Sequence, residues 1–282
     1  MKTGILIDYH TNKVLYELEP DMSIYPASMT KIMTAIVAFD LLKSKKLSLD
    51  DKVTISDKAW RMSQAGYSSM FIMVNDQISV ENLLRGIIVA SGNDACVALA
   101  EGIAGTEENF AVMMNEKAQE IGMTNSSFSN ASGLNDPDNY STVRDIALMS
   151  KYLIANYPTY YEYFKETEFT WDRTGGNPIT QPNRNLLLFK NIGVDGIKTG
   201  HTDSAGYYIV VSSKKGKMHL LAAVLGAGND VSRTRYTTSM LNFGYRFFDT
   251  QFVNYGQHEI DKLRVWEGSL RKIPVGYKDN FY

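Results

Sequence analysis

Apolar and polar positions along the chain follow three successive patterns. Near the start, "GILIDYHTNKVLYELEP" alternates with a period of two on both sides of the turn-rich "HTNK". That predicts two strands, Ile5 to Tyr9 and Val14 to Leu18. Directly after Pro26, "ASMTKIMTAIVAFDLL" sets Ile32, Met33, Ile36, Val37 and Leu41 at helical spacing. An amphipathic helix is therefore expected from residue 27, with Pro26 suited to its entry. From about Asp50 to Asn156 the period stays mainly helical, most clearly in "VENLLRGIIVA", "NDACVALAEGIAG", "EENFAVMMNEKAQEIGM" and "TVRDIALMSKYLI". The interruption "NSSFSNASGLNDPDNYS" is rich in Asn, Ser, Asp and Gly and reads as a long loop. After roughly Val194, strands return in "GVDGIKTGHT", "AGYYIVVSSKK" and "MHLLAAVLGA", followed by a helix, "RTRYTTSMLNFGYRFF".

Two strands from one end and three from the other can meet in one sheet of about five, mostly antiparallel, covered by helices from both ends of the chain. The middle then becomes an all-helical lobe inserted into a sheet domain. Its bounds fall at about 49–183, with the sheet lobe formed by about 1–48 and 184–250. Clefts between two such lobes are where ligands bind. Residues 251–282 read as a linker and the truncated start of a C-terminal β-rich domain, because "LRVWEGSLRKIPVGYKDNFY" alternates like strands whose partners are not supplied.

Composition narrows the classes. At 282 residues, with 44% hydrophobic and 21% charged positions, the chain is a globular protein of one large or two modest domains. A net charge of −2 and the lack of any basic stripe speak against nucleic acid as a partner. Cys96 is the single cysteine, so neither an intrachain disulfide nor a CxxC knuckle is available, and its apolar context marks a buried filler. No stretch approaches the ~20 apolar residues of a membrane span, and the start lacks a basic, then apolar leader. An exported form would have been trimmed before Met1.

Three short strings carry candidate chemistry: "SMTK" at 28 to 31, "SGN" at 91 to 93 and "KTG" at 198 to 200. Ser28 at a helix N-terminus has its own N–H and the helix dipole near its oxygen, which favours negative charge on an attacked carbonyl. Lys31 lies one turn on, on the same face; a Lys pressed toward a core beside a hydroxyl loses its proton and becomes a base. Ser91 and Asn93 sit on a turn between two helices, pointing into a cleft. Gly200, on a strand, removes a side chain and lets a substrate lie along the backbone.

Each residue also has a plainer use. Ser28 caps a helix, Lys31 is a solvated charge, Asn93 caps the next helix, Lys198 guards an edge strand and Arg184 is a surface ion-pair partner. A Ser-His-Asp triad finds little support: there is no GxSxG, and His10, His219 and His258 fall in a turn, a strand start and the tail. The acidic "NDPDNYS" lacks the Gly that a calcium loop needs at its sixth position. The aromatic run "YPTYYEYF", 157 to 164, reads as packing.

Taken together, the strings resemble the SxxK, SxN and KTG motifs of the penicillin-binding protein and β-lactamase superfamily. With "PASMTKIMTA", "ASGNDACVALAE", "YSTVRDIALM", "QPNRNLLLF" and "VDGIKTGHTDSAGY", the chain from about Gly4 to Phe248 is similar to the low-molecular-mass D-alanyl-D-alanine carboxypeptidases. The resemblance implies an α/β (α+β) fold of the β-lactamase/transpeptidase type. It also implies a serine hydrolase that removes the terminal D-alanine from peptidoglycan stem peptides, uses no cofactor or metal, and is blocked by β-lactams as covalent inhibitors. By the same resemblance Ser28 is the nucleophile, Lys31 its base, and Ser91 relays a proton to the departing D-alanine. Asn93 holds the substrate amide or orients Lys31, and Lys198 adds positive field that keeps Lys31 unprotonated. Thr199 and Arg184 receive the terminal carboxylate, and the N–H groups of Ser28 and His201 form the oxyanion hole.

The implied location is extracytoplasmic, in the periplasm or on the outer face of the bacterial cytoplasmic membrane, with membrane contact only through segments outside this sequence. A class A-like β-lactamase is the nearest alternative. Such an enzyme needs a Glu in the loop after SxN, and "NSSFSNASGLNDPDNYSTVRD" has none. A penicillin-sensing receptor domain without turnover, and an endopeptidase acting on crosslinks, remain as further alternatives.

Overall fold

The alternating segments at the start form a hairpin of β1 (Thr3–Asp8) and β2 (Val14–Leu18). Its turn is closed by the Asp8 carboxylate, which accepts the N–H and hydroxyl of Thr11 at 2.8 and 2.9 Å. The computed structural model describes residues 1–173, 176–203, 205–251, 253, 256, 258–280 and 282.

The helix expected from residue 27 begins instead with a 3₁₀ turn, Ala27–Met29, because Ala27 takes a φ of 48° that an α-helix cannot continue. The α-helix proper, α1 (Thr30–Lys43), is not amphipathic. It is buried almost all round from Thr30 to Phe39, and Leu42 rather than Leu41 completes its buried set. The reason is its place in the molecule, packed against helices of the middle segment on several sides.

That middle segment runs β3 (Lys52–Thr54), α2 (Asp57–Gln64), β4 (Gln77–Ser79), α3 (Val80–Arg85), α4 (Asn93–Ala104), α5 (Glu107–Ile121), α6 (Val143–Asn156) and the short α7 (Pro158–Tyr161). Side chains of Ser56, Ser79, Thr106 and Thr142 accept N–H groups in the first turns of α2, α3, α5 and α6, which is how the sequence marks these starts. A hairpin unread in the sequence follows, β5 (Glu168–Arg173) with β6 (Asn177–Pro182). The aromatic run at 157–164 is packing, as expected. Tyr157, Tyr161 and Phe164 are buried, and the rings of Tyr157, Tyr160 and Phe164 gather around Phe39.

The returning strands are β7 (Val194–Thr202), β8 (Gly206–Lys215) and β9 (Met218–Ala227), and the helix after them is α8 (Asp230–Phe247). The sheet has five strands in the order β2-β1-β9-β8-β7, and every pair in it is antiparallel. Its central strands read as nearly continuous apolar runs because both faces are covered. Leu6, Ile209, Val211, Leu220, Ala222 and Val224 pack toward Met240 and Leu241 of α8. Ile5, Val210, Leu221, Ala223 and Leu225 join the larger core with the other helices. Of the covering helices expected from both chain ends, α8 serves one face; α6, from the middle segment, packs on β1 and β9.

In the tail, β10 (Asp261–Arg264) and β11 (Lys272–Val275) pair with each other as a two-stranded sheet. Residues 252, 254, 255, 257 and 281 of this stretch lie outside the described residues.

Candidate active site

Pro26 and the 3₁₀ turn deliver Ser28 to the front of α1, half-buried, with Lys31 one turn behind and sealed at 1% exposure. The Lys31 amine lies 3.1 Å from Ser28 Oγ, 2.7 Å from Asn93 Oδ1 and 2.7 Å from the Ser132 carbonyl. A neutral amine has two N–H donors and one lone pair. The two short contacts run to oxygens that accept only. They consume both donors, which turns the lone pair toward the Ser28 hydroxyl. Burial is the first cause that holds the Lys31 amine below the usual lysine range; Cys96 and Asp94 pull it up and Arg184 pushes it down. Burial thus excludes the solvated-charge reading.

Ser91 and Asn93 come from the junction of α3 and α4. After α3 the chain continues through a π-helical turn, Gly86–Ala90, and then breaks as Ser91 adopts φ 61° and ψ 33°. A left-handed serine costs about 1 kcal/mol and persists where the surroundings impose it, as they do at sites of function. Here it aims Ser91 Oγ at Ser28 Oγ, 3.3 Å away. Asn93 opens α4, so its side chain leaves the helix toward Lys31 rather than capping it.

The third string arrives on β7, an edge strand of the sheet, whose N-terminal half also packs on the turns around residue 164. A Cβ on Gly200 would stand 3.2 Å from Ser28 N and 3.5 Å from Ser28 Cβ. The glycine therefore brings β7 up to the main chain of Ser28. Lys198 and Thr199 are buried, which removes the edge-guarding reading of Lys198. Burial first, then the charges of Lys31 and Arg184, hold the Lys198 amine well below its ordinary value. The Lys31 charge thus presses on Lys198, and burial leads at both sites.

His201 follows on the same strand with its imidazole exposed beside Tyr207, ring centroids 4.1 Å apart. Arg184 lies on the exposed rim and donates to Ser68 Oγ at 2.7 Å. Ser68 ties it to the cluster, since the Ser68 carbonyl accepts the Asn93 N–H at 2.8 Å.

Sequence reading missed Ser132 and Ser68. The signal for Ser132 was the glycine beside it. Gly133 has φ +84°, and a Cβ there would stand 1.8 Å from the Ala27 carbonyl oxygen, so only glycine lets this loop lie against the Ala27–Met29 turn. Nothing comparable marks Ser68.

Cys96 is buried beside the site, and burial pushes its thiol up to about 12, so it stays an inert filler. A serine–histidine pair does exist, Ser212 Oγ with His219 Nε2 at 2.7 Å, but both are buried on β8 and β9, where no substrate reaches them. Among the described residues there is no group of three or more His, Cys, Asp or Glu side chains that could hold a metal ion.

Comparison with known proteins matches residues 1–229 to the D-alanyl-D-alanine carboxypeptidase family, peptidase S11. The D-alanyl-D-alanine carboxypeptidase DacC of Escherichia coli is 43% identical over 279 residues, covering 98% of this chain and 68% of that protein. Among solved structures, penicillin-binding protein 5 from Haemophilus influenzae superposes with a TM-score of 0.92 at 40% identity, over 99% of this chain and 80% of that one. Penicillin-binding protein D2 from Listeria monocytogenes in its ampicillin-bound form gives 0.76 at 27% identity, over 86% of this chain and 97% of that one.

Proposed function

The chain belongs to the D-alanyl-D-alanine carboxypeptidase family of serine peptidases, and from that premise we propose that Ser28 attacks the peptide carbonyl between the last two D-alanines of a stem peptide. Neutral Lys31 takes the Ser28 proton as the Oγ–C bond forms. The C–N bond then breaks, and Ser91, in reach of Ser28 Oγ, passes a proton to the departing D-alanine nitrogen. Water next attacks the ester, releases the shortened peptide and returns the proton to Ser28. The backbone N–H groups of Ser28 and His201 take the oxyanion. Asn93 holds the substrate amide or orients Lys31, Lys198 adds positive field to the site, and Thr199 and Arg184 receive the terminal carboxylate, Arg184 with its planar donor fork. The observation that supports this reading is the buried Lys31 amine 3.1 Å from Ser28 Oγ, held from behind by Asn93 Oδ1 and the Ser132 carbonyl at 2.7 Å each.

The enzyme is a serine-type D-alanyl-D-alanine carboxypeptidase acting on peptidoglycan. A β-lactam enters the same route: Ser28 opens the lactam ring, and the opened drug stays attached as an ester because the leaving nitrogen cannot diffuse away. The loop around Ser132 supplies no Glu to activate a deacylating water, so the adduct is long-lived and β-lactamase turnover is slow. We place the reaction outside the cytoplasmic membrane, in the periplasm or on the membrane's outer face, where the stem peptides lie. No nucleic acid takes part. Among the described residues no helix is long and apolar enough to cross a membrane.

The test is intact mass after brief exposure to penicillin, peptide mapping of the adduct, and D-alanine release from diacetyl-Lys-D-Ala-D-Ala. One adduct on Ser28 is expected, with Ser28→Ala inert in both assays. An adduct elsewhere, or peptide turnover by Ser28→Ala, overturns the assignment, and rapid penicillin hydrolysis overturns the choice over a β-lactamase.

A further inference from the structure

We propose that Asp94 is a positioning residue for this reaction, setting the rim segment 68–72 that carries Arg184 to the substrate; the inference rests on the reading of Arg184 given above. Asp94 is the second residue of α4 and is fully buried. Its carboxylate accepts the Ser69 hydroxyl at 2.6 Å and the main-chain N–H groups of Met70 at 2.8 Å, Phe71 at 2.9 Å and Ile72 at 3.3 Å, together with that of Ala95 at 2.9 Å.

Residues 69–72 belong to no helix or strand, so the N–H groups of Met70, Phe71 and Ile72 have no ladder to satisfy them. One carboxylate does this work, through charge-assisted bonds of the strong kind. It also holds Phe71 at φ 65°, a conformation that a bulky residue avoids unless its surroundings impose it.

What this segment offers the site is Ser68. Its carbonyl receives the Asn93 N–H and its hydroxyl receives Arg184 Nη1 at 2.7 Å. On the far side, Gln181 of β6 donates to the Ser69 carbonyl at 3.0 Å. The segment is therefore clamped between α4 and the end of the β5–β6 hairpin, with the Asp94 carboxylate at its centre. The Ser28–Lys31 pair makes none of these contacts. If the carboxylate is lost, the rim that presents Arg184 shifts, while Ser28 and Lys31 keep their places on α1 and Lys31 loses only the Asp94 charge that pulls its pKa up, which favours the neutral amine.

The separating measurement compares a ligand with a terminal carboxylate and one without. For Asp94→Asn, the KM for diacetyl-Lys-D-Ala-D-Ala is expected to rise roughly 10- to 100-fold, the scale of a 1 Å misplacement. Inhibition by phenylboronic acid, which adds to the Ser28 hydroxyl and has no carboxylate, is expected to stay within about twofold of wild type. An unchanged KM overturns the proposal. So does weakening of the boronic acid in step with KM, which is the signature of a merely structural role.

Ser69→Ala removes a single donor and guards against misfolding of the first variant; its KM is expected to rise about fivefold, the worth of one hydrogen bond. Arg184→Ala distinguishes the two readings. Raised KM in Arg184→Ala with no change in Asp94→Asn overturns the role of Asp94 alone. Unchanged KM in Arg184→Ala overturns the assignment of Arg184 and, with it, this route. Where both rise, the double variant is expected to be no worse than the poorer single variant, and multiplied effects overturn the coupling.

Discussion

Lys31 shows how a single side chain acquires chemistry from its surroundings. An amine at 1% exposure, with its donors taken by Asn93 and the Ser132 carbonyl, gains little from holding a third proton. Because burial lowers its pKa, the neutral, basic form grows as pH rises through that lowered value, and acylation of Ser28 must climb in the same direction. A penicillin acylation rate that increases on acidification toward pH 5 contradicts a lysine base. Lys31→Arg isolates the proton. A guanidinium has the reach but stays protonated and has no lone pair to offer, so acylation followed by intact mass is expected to fall roughly 10²- to 10⁴-fold. Side chains of this kind were legible in sequence, since Ser28, Lys31, Ser91, Asn93 and Lys198 occur as fixed residue types at fixed spacings. The Ser132 carbonyl was not. A main-chain oxygen belongs to every residue, and only the fold selects which one faces the amine.

At the scale of elements, the loop before α6 acts as a wall of the site because α1 grips it twice. Thr34 donates to the Ala131 carbonyl at 2.6 Å and Lys31 to the Ser132 carbonyl at 2.7 Å. Asn130 shapes the turn between, accepting the Gly133 N–H at 2.8 Å and donating to the Leu134 carbonyl at 3.0 Å. Gly133→Ala tests the fit, since its methyl group would overlap the Ala27 carbonyl. The loop must retreat, and a thermal melt is expected to show a loss of at least about 2 kcal/mol, beyond the usual cost of alanine at positive φ. Penicillin acylation is expected to drop in the same variant, because Ser132 withdraws from Lys31; unchanged acylation would mean that this carbonyl is dispensable. The sheet strands were readable because their apolar runs are long and bounded by turns. The β5–β6 hairpin was passed over although Phe169, Trp171 and Ile179 alternate, since its polar, half-exposed strands give a weak signal. The helical pattern of residues 80–90 gave no warning of the π-helical turn, because backbone pitch changes there without a change in residue type.

For the whole molecule, the pairing of β1 with β9 joins the two ends of the chain, and the joint carries its own pH sensitivity. His219 of β9 is buried against Ser212, stacks on Tyr9 at 4.2 Å, and lies near Asp8, His10, Lys214 and Asp195. Burial, then the Lys214 charge, lowers its pKa to about 4. Above about pH 7.5 the imidazole is almost wholly neutral both folded and unfolded, so it contributes little pH dependence there. Below about 6.5 the unfolded chain binds a proton that the folded chain refuses, and stability falls until the pH reaches the folded value. A shift of that size is worth about 3 kcal/mol between pH 6.5 and 4. Carboxylates also titrate across this range, so the informative quantity is the difference between wild type and His219→Phe, which keeps the ring against Tyr9. Urea unfolding at pH 7 should find the variant less stable, since Ser212 loses its partner. As the pH is lowered the gap is expected to close and then reverse, because the phenyl ring has no proton to gain. Parallel curves at every pH would show that the imidazole titrates alike in the folded and unfolded states, as a solvated one does. The decline is independent of the acid limb of catalysis, since unfolding reports the sheet joint and acylation at fixed folded fraction reports Lys31.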